Sequence, residues 1–366
     1  NMGFVMEFIS YPVLTGWITS GALTIFISQL PSWFGLKIPN FTILSSYELF
    51  VAVIENIKQT KLGDMAVGSA CFVISCALYF TAPVINKFHK ASKRASSKVI
   101  LSTLSYILLA RVGWIIIFSS IVSNILVKIY GWDDHFSFLP PTLSKLPSFT
   151  NPFASIKVNG TTVSTVEIIK QAYPSFILVP IVVLIETLAG ARNFAKQFSY
   201  QVDNNQELMC LGLVNVLNSF FEGFPVGGAL ARTSVNALSG CKSLFSGLIT
   251  SVLLIPTMLY LMSYISYISK AAIGASICAA ALTQIQLTSL KNLWQISKLQ
   301  LLPWMFTFIC GLYKLEIGML AGFVVSAAFI MWRELRPRIH LVYDYTNEAA
   351  TLYVKGAIHF PGAYSL

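Results

Sequence analysis

The sequence predicts an all-α polytopic membrane protein, and three observations carry that expectation. Charged residues make up 11% of the 366-residue chain and hydrophobic residues 55%, whereas a soluble globular domain carries about 25% charged residues. The apolar residues fall in blocks about as long as a bilayer crossing, which takes about 20 residues of helix. Lys and Arg gather between those blocks, most densely at Lys87, Lys90, Lys93, Arg94 and Lys98, as they do in cytosolic loops. In lipid the backbone must satisfy its own hydrogen bonds, so each block is expected to be a helix. Alternating ten-residue strands of the kind that build a membrane barrel do not recur. Orientation in the membrane accounts for the net charge of +10, and no nucleic-acid partner is expected; the partner surface is lipid.

Taken in order, the first span is expected from about Ile9 to Leu30, stopping at Pro31. Residues 32–60 are polar and amphipathic, with Pro39, Glu48 and Glu55. The next span covers about Met65 to Ile85 and is followed by the basic cluster. Residues 98–110 are apolar but too short to cross alone; they lead through Arg111 into a span ending near Tyr130. Residues 131–170 form the longest polar excursion, with Pro140, Pro141, Pro147 and Pro152. Spans are then expected over about Tyr173 to Ala191 and Leu208 to Phe221. Further apolar blocks cover about 244–265, 270–286, 300–313 and 315–332, the last closed by Arg333, Arg336 and Arg338. The tail, with His340-Leu-Val-Tyr and Thr351-Leu-Tyr-Val-Lys-Gly-Ala-Ile, alternates and is rich in β-branched and aromatic residues, which predicts two strands of a soluble domain. Both ends of the chain look cut. Two N-x-S/T acceptors, at Asn40 and Asn159, fall in loops on the face opposite the basic cluster. Glycosylation outside and a cytosolic tail agree with each other.

No metal or cofactor is expected. Cys71, Cys76, Cys210, Cys241, Cys278 and Cys310 are scattered, without a metal-type pair, and the four histidines are equally dispersed. No nucleophile–base constellation suggests an enzyme.

The sharpest chemical signal is a short stretch, Ala229 to Ser239, bracketed by Gly223, Pro225, Gly227, Gly228 and Gly240. It is too short to cross a bilayer, and a Gly/Pro-interrupted apolar segment points to a broken helix. Secondary transporters use such half-helix N-termini near the midplane as anion sites, because the unpaired N–H groups and the helix dipole face the ligand. Arg232 adds a full charge, which is costly in the membrane. The alternative is that Arg232 reaches an interface or pairs with an acid for stability. Glu186 interrupts the apolar run Ile181-Val-Val-Leu-Ile. It either carries a proton or pairs with Arg232, or it lies at a cytosolic helix end near Arg192. The run Asp203-Asn204-Asn205-Gln206-Glu207 is read as a helix cap rather than a ligand.

Five stretches together carry a family resemblance: Phe8-Ile-Ser-Tyr-Pro-Val-Leu-Thr-Gly-Trp, Val202-Asp-Asn-Asn-Gln-Glu-Leu, Gly223-Phe-Pro-Val-Gly-Gly, Arg232-Thr-Ser-Val-Asn-Ala-Leu-Ser-Gly and Ile268-Ser-Lys-Ala-Ala. The chain resembles the sulfate-permease (SulP, solute carrier 26) anion transporters over almost its whole length. The resemblance implies a 7+7 inverted-repeat core/gate transporter fold, here incomplete, with the first span as the family's fifth helix and the first four missing. Residues 1–335 would be the transmembrane transporter domain and 336–366 the beginning of a cytosolic α/β STAS domain. Ala229 to Ser239 would be the tenth helix and Glu186 would lie on the eighth. Arg232 matches the family's arginine, whereas Ala231 and Ala229 stand where the family usually has serines.

The implied function is alternating-access transport or exchange of sulfate or another small anion (chloride, bicarbonate or oxalate). The anion would be held by Arg232 and by N–H groups near Ala229, Leu230 and Ala231, with Glu186 tuning charge or carrying a proton. A homodimer in a plasma, lysosomal or endosomal membrane is implied by the same resemblance. The rival expectations are a chloride-conducting, channel-like member and a non-transporting scaffold acting through its tail.

Overall fold

The computed structural model describes residues 10–39, 44–91, 103, 108, 110–141, 145–154, 156–158, 161–229, 232–233, 236–237, 241, 243–285, 287–296, 298–334, 338–344 and 349–355. Asn40 and Asn159, the two acceptor asparagines, lie outside them, as do Leu230 and Ala231. The chain divides into two compact units, one built on Thr24–Thr283 and the other on Phe4–Leu23 together with Gln284–Leu366.

Helix α1, Tyr11–Phe34, runs one turn beyond the expected stop at Pro31. Proline removes one helical hydrogen bond and costs about 3 kcal/mol in a helix interior, yet here the helix continues to a glycine signal. Gly35 adopts a left-handed conformation, φ 66°, and Leu36 N–H donates to the Pro31 carbonyl at 2.8 Å. That six-to-one bond closes the helix end, which only a residue tolerant of positive φ allows without strain. The amphipathic stretch that follows contains α2, Ser46–Glu55, opened by a reciprocal cap between Ser45 and Glu48.

Helix α3, Leu62–Ala91, extends beyond its expected span into the first basic residues. Helix α4, Arg111–Tyr130, stops at left-handed Gly131. The long excursion after it is not wholly irregular. Strands β1, Ile156–Val158, and β2, Thr161–Val163, form a short antiparallel hairpin. Helix α5, Thr165–Phe198, already starts within the excursion and continues well beyond Ala191. Helix α6, Asn204–Ser219, follows. Helix α7, Phe245–Pro256, passes at its proline into a π-type turn, Thr257–Leu261, and a 3₁₀ stretch, Met262–Tyr267. Helix α8, Lys270–Gln284, follows, and the first unit ends within its last turn, at Thr283.

The core of this unit is a small-residue seam. Ala271, Ala272, Ala275 and Cys278 of α8 are 0% exposed. A Cβ added at Gly274 would sit 3.2 Å from the Gln29 carbonyl and 3.3 Å from Trp33 N, so α8 approaches the α1 backbone closely. Small residues at every fourth position allow such contact in membranes, where helix packing rests on van der Waals fit. The Trp33 ring lies directly on Gly68 of α3 and 4.7 Å from the Phe72 ring. At one end of the seam Asp64 is 0% exposed and accepts from Ser137 N–H at 3.1 Å. The 137–139 segment pairs in turn with 268–270: Lys270 N–H donates to the Ser137 carbonyl at 2.9 Å and Leu139 N–H to that of Ile268 at 3.1 Å.

In the second unit, helices α9, Leu287–Ile296, α10, Leu301–Tyr313, and α11, Leu315–Glu334, follow one another. Gly318 abuts Gly311, and Gly322 abuts Thr307, so α10 and α11 form an antiparallel hairpin around the single linking residue Lys314. Strands β3, Arg338–Asp344, and β4, Ala349–Lys355, pair antiparallel from Arg338↔Lys355 to Asp344↔Ala349; the alternating tail does form two strands.

Among the described residues, 5 helices are long and apolar enough to cross a membrane, Tyr11–Phe34, Arg111–Tyr130 and Phe245–Tyr267 among them. The protein is an integral multi-pass membrane protein.

Candidate functional site

The segment Phe224–Gly228, which leads into the Gly/Pro-bracketed stretch, sits against α5 and α6, and its geometry is set by side chains that grip its backbone. Asp203 caps α6 as its sequence predicts, accepting from Asn205 N–H at 2.9 Å and Gln206 N–H at 3.4 Å through Oδ1. Arg192, near the end of α5, donates from Nε to Asn204 Oδ1 at 3.3 Å, which ties the two helices where the chain passes between them. At the far end of α6 the chain turns through Glu222, φ 56°, and Gly223 N–H donates to the Asn218 carbonyl at 3.1 Å. A Cβ at Gly223 would run into the Asn218 side chain. The excursion backs this turn: Phe149 stacks on Phe220 at 5.5 Å between ring centroids, and Thr150 N–H donates to the Phe220 carbonyl at 2.8 Å.

From Phe224 to Gly228 the chain has no regular secondary structure, so its backbone groups need partners from elsewhere. They find them at alternate residues. Asn218 Nδ2 donates to the Phe224 carbonyl at 2.6 Å. The Asn215 side-chain amide takes both backbone groups of Val226, donating to its carbonyl at 2.9 Å and accepting from its N–H at 2.8 Å. Thr187 Oγ1 accepts from Gly228 N–H at 2.8 Å. The two glycines permit this approach: a Cβ at Gly227 would sit 2.8 Å from Val183 Cγ1, and one at Gly228 would sit 3.3 Å from Thr187 Cα.

Helical geometry begins immediately afterwards. The Ala229 carbonyl accepts from Thr233 N–H at 3.0 Å and from Thr233 Oγ1 at 3.0 Å. Arg232, Thr233, Asn236 and Ala237 have helical backbone. Of the residues expected at the site, Ala229 is half-buried at the start of this half-helix, Arg232 is exposed just inside it, and Glu186 is half-buried on α5. Glu186 lies next to Thr187, whose hydroxyl accepts from Gly228 N–H, so α5 carries the acid close to where the half-helix starts. Leu230 and Ala231 lie outside the described residues.

A cavity of ≈ 510 Å³ lies between α5, α6 and the gripped segment, faced by Val179, Val183, Leu211, Phe224 and Pro225 among others. Its lining is mostly apolar, unlike the charged and N–H-bearing start of the half-helix. A small anion is suited to the second environment and not to the first.

Sequence reasoning named Arg232 and Glu186 but not Thr187, Asn215 and Asn218, the side chains that grip the segment's backbone. A signal was present: two asparagines three residues apart in the apolar run Leu208–Ser219. Polar groups in such a helix are retained where they find partners.

Three kinds of likeness bear on this arrangement. The model of the sulfate permease family matches residues 1–307. The sodium-independent sulfate anion transporter of Bos taurus is 31% identical over 373 residues, covering 100% of this chain and 59% of that protein. The sulfate transporter of Homo sapiens is 26% identical, covering 93% of this chain and 43% of that protein. The chain therefore spans about half the length of these curated relatives. Among solved structures, murine Slc26a9, an anion transporter in the inward-facing state, matches with a TM-score of 0.72 at 21% identity, over 94% of this chain and 51% of that one. The transmembrane domain of a cyanobacterial bicarbonate transporter, BicA, matches with a TM-score of 0.56 at 14% identity, over 89% and 71%. These last two likenesses bear on the fold.

Proposed function

Because this chain belongs to the sulfate permease family, a family of transporters and not of enzymes, we propose that it forms the anion-binding part of a secondary transporter. The cargo is sulfate or a similar small anion, and it crosses by alternating access, as transport or exchange. The N–H groups of Ala229, Leu230 and Ala231, at the start of the half-helix, and the Arg232 guanidinium hold the anion. A helix N-terminus offers unpaired donors and about half a positive charge. A guanidinium adds charge-assisted hydrogen bonds. Glu186 tunes the local charge, offsetting Arg232 when the anion leaves. The paired tail strands β3 and β4 begin a STAS domain on the cytosolic side, with Asn40 and Asn159 on the opposite face and a dimer as the working assembly.

One observation carries this reading. An irregular segment, gripped by α5 and α6, turns at Ala229 into a helix, and the residue before that turn is bonded to Thr187, the neighbour of Glu186 in an apolar run. Packing alone calls for neither charge there; a stabilising ion pair would, and the double variant below separates that role from anion binding.

The test is uptake of radiolabelled sulfate and chloride into proteoliposomes bearing the full-length protein. Arg232→Ala is expected to lower uptake at least tenfold, and Arg232→Lys to recover part of it, because lysine keeps the charge but not the planar fork. If Arg232 serves chiefly to offset Glu186, Arg232→Ala instead destabilises the protein, and adding Glu186→Gln restores both folding and uptake. A well-folded Arg232→Ala protein with wild-type uptake of both anions sinks the site assignment.

A further inference from the structure

We propose that Thr187 and Asn215 are positioning residues for the anion site: they hold the backbone of Val226 and Gly228 so that the half-helix begins at a fixed place and angle beside Glu186. This rests on the transport reading above and adds residues that act through the backbone leading into the half-helix.

The geometry leaves each of the two side chains little choice of role. Thr187 Oγ1 donates its one proton to the Val183 carbonyl of its own helix at 2.7 Å. What it presents to Gly228 N–H is therefore a lone pair. Asn215 donates from Nδ2 to the Leu211 carbonyl at 2.9 Å and to the Val226 carbonyl at 2.9 Å, while Oδ1 accepts from Val226 N–H at 2.8 Å. Both its amide protons and its oxygen are in use, which also fixes which side-chain atom is oxygen and which nitrogen. The amide thus stands in for a neighbouring β-strand at one residue, and the hydroxyl does so at the next residue but one. Spacing by two is that of an extended chain, whose backbone groups face alternate sides.

The consequence for function follows from the short distance along the chain. Gly228 immediately precedes Ala229, whose carbonyl accepts the first helical hydrogen bond, from Thr233 N–H. Thr187 immediately follows Glu186 in α5. The single bond between Gly228 N–H and Thr187 Oγ1 therefore joins the mouth of the half-helix to the helix turn that carries the acid. An N-terminus stabilises an anion only while its donors are aimed at it, and a misplacement of about 1 Å at such a site costs a large part of the effect. Removing the hydroxyl leaves Gly228 N–H without its acceptor and lets the half-helix shift, while the charges of Arg232 and Glu186 stay in place.

The experiment measures the concentration dependence of radiolabelled sulfate uptake by the full-length protein in proteoliposomes, with Thr187→Val, Thr187→Ser and Asn215→Leu compared with wild type and with Arg232→Ala. Valine and leucine preserve shape and remove the hydrogen bonds. Thr187→Val and Asn215→Leu are expected to raise KM about tenfold, the equilibrium equivalent of one well-made hydrogen bond, with maximal rate changed less than about twofold. Thr187→Ser returns KM to near the wild-type value, because it restores the acceptor; a role confined to packing predicts no such rescue. Where Thr187→Val does not accumulate, Thr187→Ala removes the same hydroxyl with less volume and gives the same comparison. An unchanged KM in folded Thr187→Val or Thr187→Ala protein, or a serine variant no better than valine, overturns the positioning role. If that happens while Arg232→Ala still loses uptake, the anion site stands and only the positioning role falls. Wild-type uptake in Arg232→Ala instead removes the transport site itself.

Discussion

Two regions of the first unit are held together in opposite ways. Where α8 meets α1 and α3, the contacts are between small apolar surfaces: Ala271, Ala272, Ala275 and Cys278 are fully buried, and Trp33 covers Gly68. Where α5 and α6 meet the segment Phe224–Gly228, α6 has no buried residue, and the contacts are side-chain amides and a hydroxyl gripping irregular backbone. The first region gets its order from shape, the second from hydrogen-bond direction. Shape is satisfied by many sequences of the right volume. Direction is satisfied by few, but it can hold a chain whose own backbone groups are meant to meet a ligand. The difference marks off a packed scaffold from a gripped segment without any appeal to family membership.

A substitution in the scaffold is expected to have the largest effect. Gly68→Leu displaces the Trp33 ring, and overpacking together with the lost aromatic contact costs about 3 kcal/mol. Thermal unfolding of the detergent-solubilised protein should show a large drop in Tm, with sulfate KM unaffected in whatever protein survives. An unchanged Tm would break the comparison at its packed end. A Cβ in the gripped region is expected to do the reverse. Gly227→Ala places a methyl 2.8 Å from Val183 Cγ1, and the segment yields at a cost of about 1 kcal/mol. Stability should change little, while sulfate KM rises severalfold; a larger fall in Tm than in affinity would place this glycine with the scaffold. The smallest effect is the control. Gly113 on α4 has nothing within 4 Å of an added Cβ, so Gly113→Ala should stabilise by about 0.5 kcal/mol through helix propensity, with transport unchanged. A destabilised Gly113→Ala protein would reveal a contact at that face.

The helices were legible in the sequence because they rest on one quantity, the run length of apolar residues. Their ends were less so. Pro31 reads as a stop, but the helix passes it and ends at Gly35, because the closing bond from Leu36 needs left-handed backbone there. The hairpin of β1 and β2 was missed since three-residue strands leave no periodicity to read. Arg232 and Glu186 stand out in the sequence because a charge in or beside an apolar run is conspicuous. Thr187 was not, since a threonine in an apolar helix ordinarily bonds its own backbone four residues back, which it does here as well. Its second bond, to Gly228, joins residues 41 apart in the chain, and no local pattern encodes that.

The alternation at Phe224, Val226 and Gly228 sets a constraint on chain length. Asn218, Asn215 and Thr187 meet the backbone at successive alternate residues, so deleting or inserting one residue between Phe224 and Gly228 would throw the grips at its two ends out of step with each other. It would also turn the half-helix by about 100°, one residue's share of a helical turn, and swing Arg232 away from Glu186. The side chains of Pro225 and Val226 can be exchanged for others of similar shape with modest loss, but the count of residues cannot change. Loops elsewhere in the protein can drift in length over evolutionary time, whereas this one keeps step like a toothed rack against its pinion.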